Sequence, residues 1–125
     1  NPGAGSQSMY PIIHHANLIL QNVPGIAFRS EEEKNNIIAQ AYTTRAMVYF
    51  WITRLWGDAI IVTDPTQSFA PEAIIKERSS VATVFELIKA DLDQAISLFS
   101  DDGIPDGRFV WSKPSANTLK ADVYL

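Results

Sequence analysis

The chain has no cysteine. That removes disulfides, thiolate metal sites, a cysteine nucleophile and any lipid-modified Cys within these 125 residues. It does not choose a compartment. Long apolar runs are also missing: the longest, Ala46 to Ile52, is far short of the roughly 20 residues that cross a bilayer. Positive charge is scarce as well, with 10 Lys and Arg against 14 Asp and Glu, a formal net charge of −4 and a pI near 5.0. No Lys/Arg cluster offsets that balance, so a phosphate backbone would not be attracted and nucleic-acid binding is set aside. The first residues, 1–8, are small and polar without a basic-then-apolar signal pattern, and read as a linker.

What is present argues for folding. Apolar residues make up 46% of the chain, and its length suits one compact domain, placed at residues 9–125. Four helices are predicted. The first, about Met9 to Asn22, carries Ile12, Ala16, Ile19, Leu20 and Val23 in steps of three and four, and Pro24-Gly25 ends it. In the second, Ser30 followed by Glu33 is a capping-box pattern, and Glu31 to Glu33 suit the positive end of the helix dipole. That helix runs to Trp56, with Gly57 placed to stop it. Two apolar stripes line it: Ile38, Ala41, Val48, Ile52 and Leu55, and then Tyr42, Ala46, Tyr49 and Trp56. Such a helix is expected between two neighbours.

A short extended stretch, Ala59 to Thr63, leads into a long inserted loop, so that residues 57–78 interrupt the helical pattern. The third helix, about Ser80 to Ser100, has one stripe: Val81, Val84, Phe85, Ile88, Leu92, Ala95, Ile96 and Phe99. Gly103, Pro105 and Gly107 mark a second loop, and a fourth helix opens near Pro114. Leu125 falls inside a helical pattern with no stop signal, so the chain is expected to be a fragment of a longer one.

The helices repeat. Residues 41–50 and 116–125 share Ala41/Ala116, Thr43/Thr118, Ala46/Ala121, Val48/Val123 and Tyr49/Tyr124 at an offset of 75, with Arg45/Lys120 and Phe50/Leu125 conservative. Ala16-Asn17-Leu18 matches Ala90-Asp91-Leu92 more weakly, at an offset of 74. Two matched offsets indicate a duplicated helical hairpin. The fold class is therefore all-α, a superhelix of tetratricopeptide-like hairpins that bury their faces on one another.

In order along the chain stand Ile13-His-His-Ala-Asn-Leu-Ile-Leu-Gln-Asn22, then Ala39 to Phe50 feeding Trp51-Ile-Thr-Arg-Leu-Trp-Gly-Asp-Ala-Ile-Ile-Val-Thr-Asp-Pro65, then Arg78 to Phe85 through Asp91 to Ile96, then Gly107-Arg108 and Ala116 to Leu125. Together they resemble the SusD/RagB family. The second segment looks like that family's run R-A-x-x-Y-F-x-L-x-x-x-[WY]-G-[DG]-x-P, with Ile60 departing where the family usually has Pro. The resemblance implies a SusD-like superhelix in a surface-exposed outer-membrane lipoprotein of Bacteroidetes-type bacteria. It further implies a partner, a TonB-dependent transporter, and a glycan ligand bound for uptake without cleavage.

Candidate chemistry is thin. Adjacent His14 and His15 point about 100° apart on a helix, unlike the three- or four-residue spacing that suits a metal. Asp91, Asp93 and Glu86 could suggest a glycosidase acid pair, but are expected on the solvated side of the third helix, with Lys89 near Glu86. Sugars stack on aromatic rings. Trp51 and Trp56 are expected in the core, which leaves Trp111, beside Phe109 in a loop, as the candidate carbohydrate-binding residue, against a competing packing role. Asn17, on an otherwise apolar helix, is expected to hydrogen-bond a loop backbone. No catalytic triad order, phosphate loop, metal spacing or cofactor motif appears. The leading expectation is a non-enzymatic glycan-binding component whose repeat helices serve as scaffold and transporter-docking surface. The alternative is a generic tetratricopeptide-like protein–protein adaptor with an open groove, which a groove plugged by residues 57–78 would disfavour. A small glycan-active enzyme would need an acid pair converging in a cleft.

Overall fold

The computed structural model describes residues 8–65, 78–100 and 111–125. Residues 66–77 of the predicted loop at 57–78, the predicted loop at 101–108 and residues 1–7 of the predicted linker lie outside the described residues. Among the described residues four α-helices are formed: α1 (Tyr10–Asn22), α2 (Glu31–Trp56), α3 (Val81–Leu98) and α4 (Lys113–Tyr124), with a 3₁₀ turn at Val23–Gly25. The described residues contain no strand, only one antiparallel bridge between Ala59 and Ser79. No described helix is long and apolar enough to cross a membrane.

Serine caps start three of the helices. Ser30 Oγ accepts from the Glu33 amide, Ser80 Oγ from the Thr83 amide, and Ser112 exchanges bonds with Ser115 in a capping box. The Asp58 carboxylate accepts from the Val81 amide, so the residue just past α2 also satisfies the start of α3. Gly57 ends α2 at φ 84 and ψ −129, donating to the Thr53 carbonyl. Its φ is positive, and the chain continues from it into residues 58–62.

Consecutive helices run antiparallel. Lys34 reaches the Pro24 carbonyl at one end of the α1–α2 pair, and Asn17 meets Arg45 in its middle. Phe50 packs edge-on to Phe85 at 5.9 Å, while Asn36, near the other end of α2, accepts from the Ser100 amide after α3. Thus α2 lies between α1 and α3, and α4 stacks on α3. Tyr49, Ile13, Ile52, Ile88, Leu92 and Val84 fill the centre. Fully buried Ala39, Ala46, Ala95 and Ala116 let the helices approach closely. The inner positions of the repeat match, with Ala41 and Ala116 buried and likewise Val48 and Val123.

The predicted core needs correction on α2. Trp51 is 47% exposed and Leu55 64% exposed, whereas Phe50 is buried and Trp56 is half-buried on the core. Trp51 and Leu55 lie one turn apart, opposite Ala46, Tyr49 and Thr53. The two flanking helices cover the remaining circumference of α2, and no described element covers this side. Val81, at the start of the α3 stripe, is also exposed.

An added Cβ at Gly57 would meet nothing within 4 Å, so Gly57→Ala isolates the backbone cost of that φ. The variant is expected to lose about 1–3 kcal/mol in a urea melt. Gly25→Ala, in open space and without a positive φ, should change stability by less than about 0.5 kcal/mol.

Candidate functional site

The chemically richest part of the chain is a buried polar cluster between α1, α2 and α3. Arg45, 7% exposed, donates through Nε to Asp91 Oδ2 and through Nη2 to Asp91 Oδ1, both at 2.7 Å. Its third arm, Nη1, donates to Asn17 Oδ1 at 2.9 Å. Asn17 in turn donates through Nδ2 to the Val62 carbonyl at 2.9 Å. Burial works against both charges of the ion pair. It pushes the Asp91 carboxyl above its ordinary value even though Arg45 pulls it down, while bonding to Asp91 keeps the Arg45 charge favoured. Asp91 therefore corrects the expectation: it is 3% exposed, not on the solvated side. Glu86 and Asp93 do face solvent, at 3.7 Å from Lys89 and 2.6 Å from Lys120. Each of the three acids has its own cation, so these carboxylates form no acid pair across a cleft.

Above this cluster the extended residues 59–62 are held by side chains rather than by a sheet. The Tyr49 hydroxyl donates to the Ile60 carbonyl at 3.0 Å and accepts from the Val62 amide at 2.8 Å. The Tyr10 hydroxyl accepts from the Ile60 amide at 3.0 Å. Burial raises both phenols above their ordinary range, so they stay protonated and able to donate. Ile60 stands where the family's run usually has Pro, and here its N–H is used; a proline could not donate. Asn17 makes the loop-backbone bond expected of it. An open cleft of about 270 Å³ lies beside this segment, lined by Asn17, Leu20, Gln21, Thr63, Asp64 and Pro65.

Trp111, the candidate sugar-binding aromatic, is half-buried just before α4 and packs against both apolar clusters of the core. Gln40 clasps its backbone, accepting from the Trp111 amide at 2.6 Å and donating to its carbonyl. His14 and His15 have ring centroids 6.2 Å apart and are not brought to a metal-binding group; none of three or more His, Cys, Asp or Glu occurs among the described residues. Sequence reasoning missed the Arg45–Asp91 pair. The matched offsets held a signal for it, since Asn17 and Asp91 are repeat mates and both contact Arg45.

Fold and cluster together define a class, a helical-hairpin repeat scaffold whose buried polar groups serve its own architecture. The chain belongs to the SusD-like family described as starch-binding and associating with the outer membrane, whose model matches residues 5–125. It is 35% identical over 119 residues to SusD-like protein P25 of Formosa agariphila, covering 95% of this chain and 22% of that protein. Its fold is similar to a SusD superfamily protein from Bacteroides vulgatus, with a TM-score of 0.81, 30% identity, and coverage of 99% of this chain and 24% of that one. It is also similar to a structure solved with a xylogluco-oligosaccharide, at TM-score 0.75 and 28% identity, covering 98% of this chain and 23% of that one. The chain thus spans under a quarter of the length of these relatives.

Breaking the buried ion pair from one side should be far worse than removing it whole. Arg45→Met is expected to lose about 3–5 kcal/mol by leaving Asp91 buried and unpaired, while Arg45→Met with Asp91→Leu recovers most of that. A denaturant double-mutant cycle measures the difference. Tyr49→Phe should lose about 1–3 kcal/mol, because the Val62 amide and Ile60 carbonyl lose their shared partner.

Proposed function

We propose that this chain is the scaffold segment of a non-catalytic carbohydrate-binding protein of the outer membrane, and that the complete protein passes glycans to a TonB-dependent transporter. The observation that carries this reading is family membership over residues 5–125, together with the similar fold solved with an oligosaccharide. The geometry supports it from another side. The Asn17–Arg45–Asp91 polar groups and the Tyr10 and Tyr49 hydroxyls are engaged in holding the hairpins and residues 59–62 together. A scaffold needs such bonds, whereas a catalytic site would need some of them free. Within this reading Trp111, half-buried just before α4, is the chain's candidate sugar contact.

The adaptor alternative calls for an open groove along the hairpin. Residues 59–62 lie on the Tyr10, Asn17 and Tyr49 side chains that would line such a groove, with Ala59 and Val62 buried there. This observation favours the glycan reading over the adaptor.

Calorimetric titration of the complete protein against an oligosaccharide panel tests the reading, with binding to at least one sugar class and co-purification of a transporter expected. Absence of both would sink it. For Trp111, substitution by Ala should weaken sugar binding about 5- to 30-fold, the equivalent of about 1–2 kcal/mol. An unchanged affinity with a lowered melting temperature would assign the ring to packing alone.

A further inference from the structure

The cleft beside residues 59–62 is built from two pieces of chain that the buried polar cluster fixes against each other. One wall is the last turn of α1, with Leu20 and Gln21; the other is Thr63, Asp64 and Pro65, where the extended segment continues. Asn17, which also lines the cleft and is 1% exposed, ties the two together. Its amide donates to the Val62 carbonyl, one residue before Thr63, and accepts from Arg45. The Tyr49 hydroxyl accepts from the Val62 amide and holds the same residue from α2. Both walls therefore stand in place before any ligand arrives, which spares a ligand the cost of ordering them.

The lining is mixed in character. Leu20 and Pro65 supply carbon surface, while Gln21 and Thr63 are exposed and their side chains make no hydrogen bond to another described residue. An amide and a hydroxyl can each donate and accept. Asp64 adds a carboxylate that is already partnered, and no Lys, Arg or His is among the lining residues. At about 270 Å³ the cleft falls just below the range of roughly 300–1,000 Å³ usual for small-molecule sites. It has room for one ring-sized unit and none for a helix.

We propose that this cleft is a subsite for one pyranose unit of a neutral glycan. Gln21 and Thr63 exchange hydrogen bonds with its hydroxyls, and Leu20 and Pro65 meet its C–H face. An acidic sugar would set its carboxylate beside Asp64 with no cation to offset the repulsion. A cationic ligand would have to draw on a carboxylate that is engaged elsewhere. The inference rests on the glycan-binding reading and adds a contact separate from Trp111, which does not line the cleft.

The test uses the natural polypeptide that carries this chain, titrated calorimetrically with neutral xyloglucan- and laminarin-derived oligosaccharides and with galacturonate oligosaccharides. A neutral sugar should bind, and the galacturonates at least about tenfold more weakly. Gln21→Leu with Thr63→Val keeps side-chain bulk and leaves Trp111 untouched. That double variant should weaken neutral binding about 5- to 30-fold, as expected for two lost hydrogen bonds. Gln21→Ala alone, on an exposed face of α1, should weaken it about 2- to 10-fold and serves as the second variant should the first disturb folding. Neutral binding unchanged in either variant, once circular dichroism shows it folded, would overturn the inference and leave the glycan reading standing. Tighter binding of galacturonate, lost in the same variants, would overturn the assignment to a neutral sugar. Binding of no oligosaccharide would overturn the inference and the reading together.

Discussion

Everything in the arrangement of the hairpins turns on one buried cation. Arg45 sits midway along α2, where α1 and α3 both press against it, and its charge must be met inside the protein. The duplicated hairpins offer it equivalent positions on either side, Asn17 on α1 and Asp91 on α3. The two have diverged in a way that the charge explains. One guanidinium is neutralised by one carboxylate, so a second Asp at position 17 would bury an uncompensated negative charge. An amide at 17 accepts from Arg45 and still has an N–H to give, and that N–H holds the Val62 carbonyl. A carboxylate could not make the last bond. A single residue difference between repeat mates thus fixes both the hairpin stacking and the path of the chain that leaves α2.

That path is a departure from what an extended segment usually requires. Residues 59–62 have one bridge to Ser79 and no sheet, so their backbone groups must find side-chain partners. Tyr49, Tyr10 and Asn17 provide them, each rooted in a helix that the core already immobilises. The same logic accounts for Ile60. A proline at this turn would stiffen the backbone by itself, and here the Tyr10–Ile60 hydrogen bond restrains it instead. Gly57 completes the device by directing the chain off the end of α2 at an angle that other residues adopt only with strain.

The helices, the Ser30 cap, the stop at Gly57 and the repeat were readable from spacing, because caps and amphipathic stripes are local and leave periodic marks. Asn17 was readable for the same reason, as a polar break in an apolar stripe. Asp91 was not. By periodicity an acid beside Asp93 and Glu86 belongs to a solvated face, and only the arrival of Arg45 from another helix makes its burial tolerable. Trp51 and Leu55 failed in the opposite sense. Periodicity shows that α2 is apolar on more than one side, but the number of neighbours that cover it is a property of the assembled fold. The candidate site was the least legible part. Trp111 stood out as an aromatic in a loop, and nothing local announced that Gln40, seventy-one residues away in sequence, clasps its backbone.

The commitment of Arg45, Asp91, Asn17 and Tyr49 to bonds inside the fold bears on what the hairpins could offer a ligand. Sugar recognition requires hydrogen-bonding groups that water, not protein, occupies before the ligand arrives, together with an aromatic face. Arg45 and Asp91 are too deeply paired to exchange partners, because each would leave a buried charge behind. Asn17 is committed at both ends of its amide, and the Tyr49 hydroxyl both donates to and accepts from backbone. The open cleft beside Asn17 and Thr63 and the half-buried Trp111 lie outside that set of bonds. A rigid interior committed to its own bonds can keep one scaffold while the edges of the fold vary. This is the arrangement expected if members of one fold family are to hold different glycans.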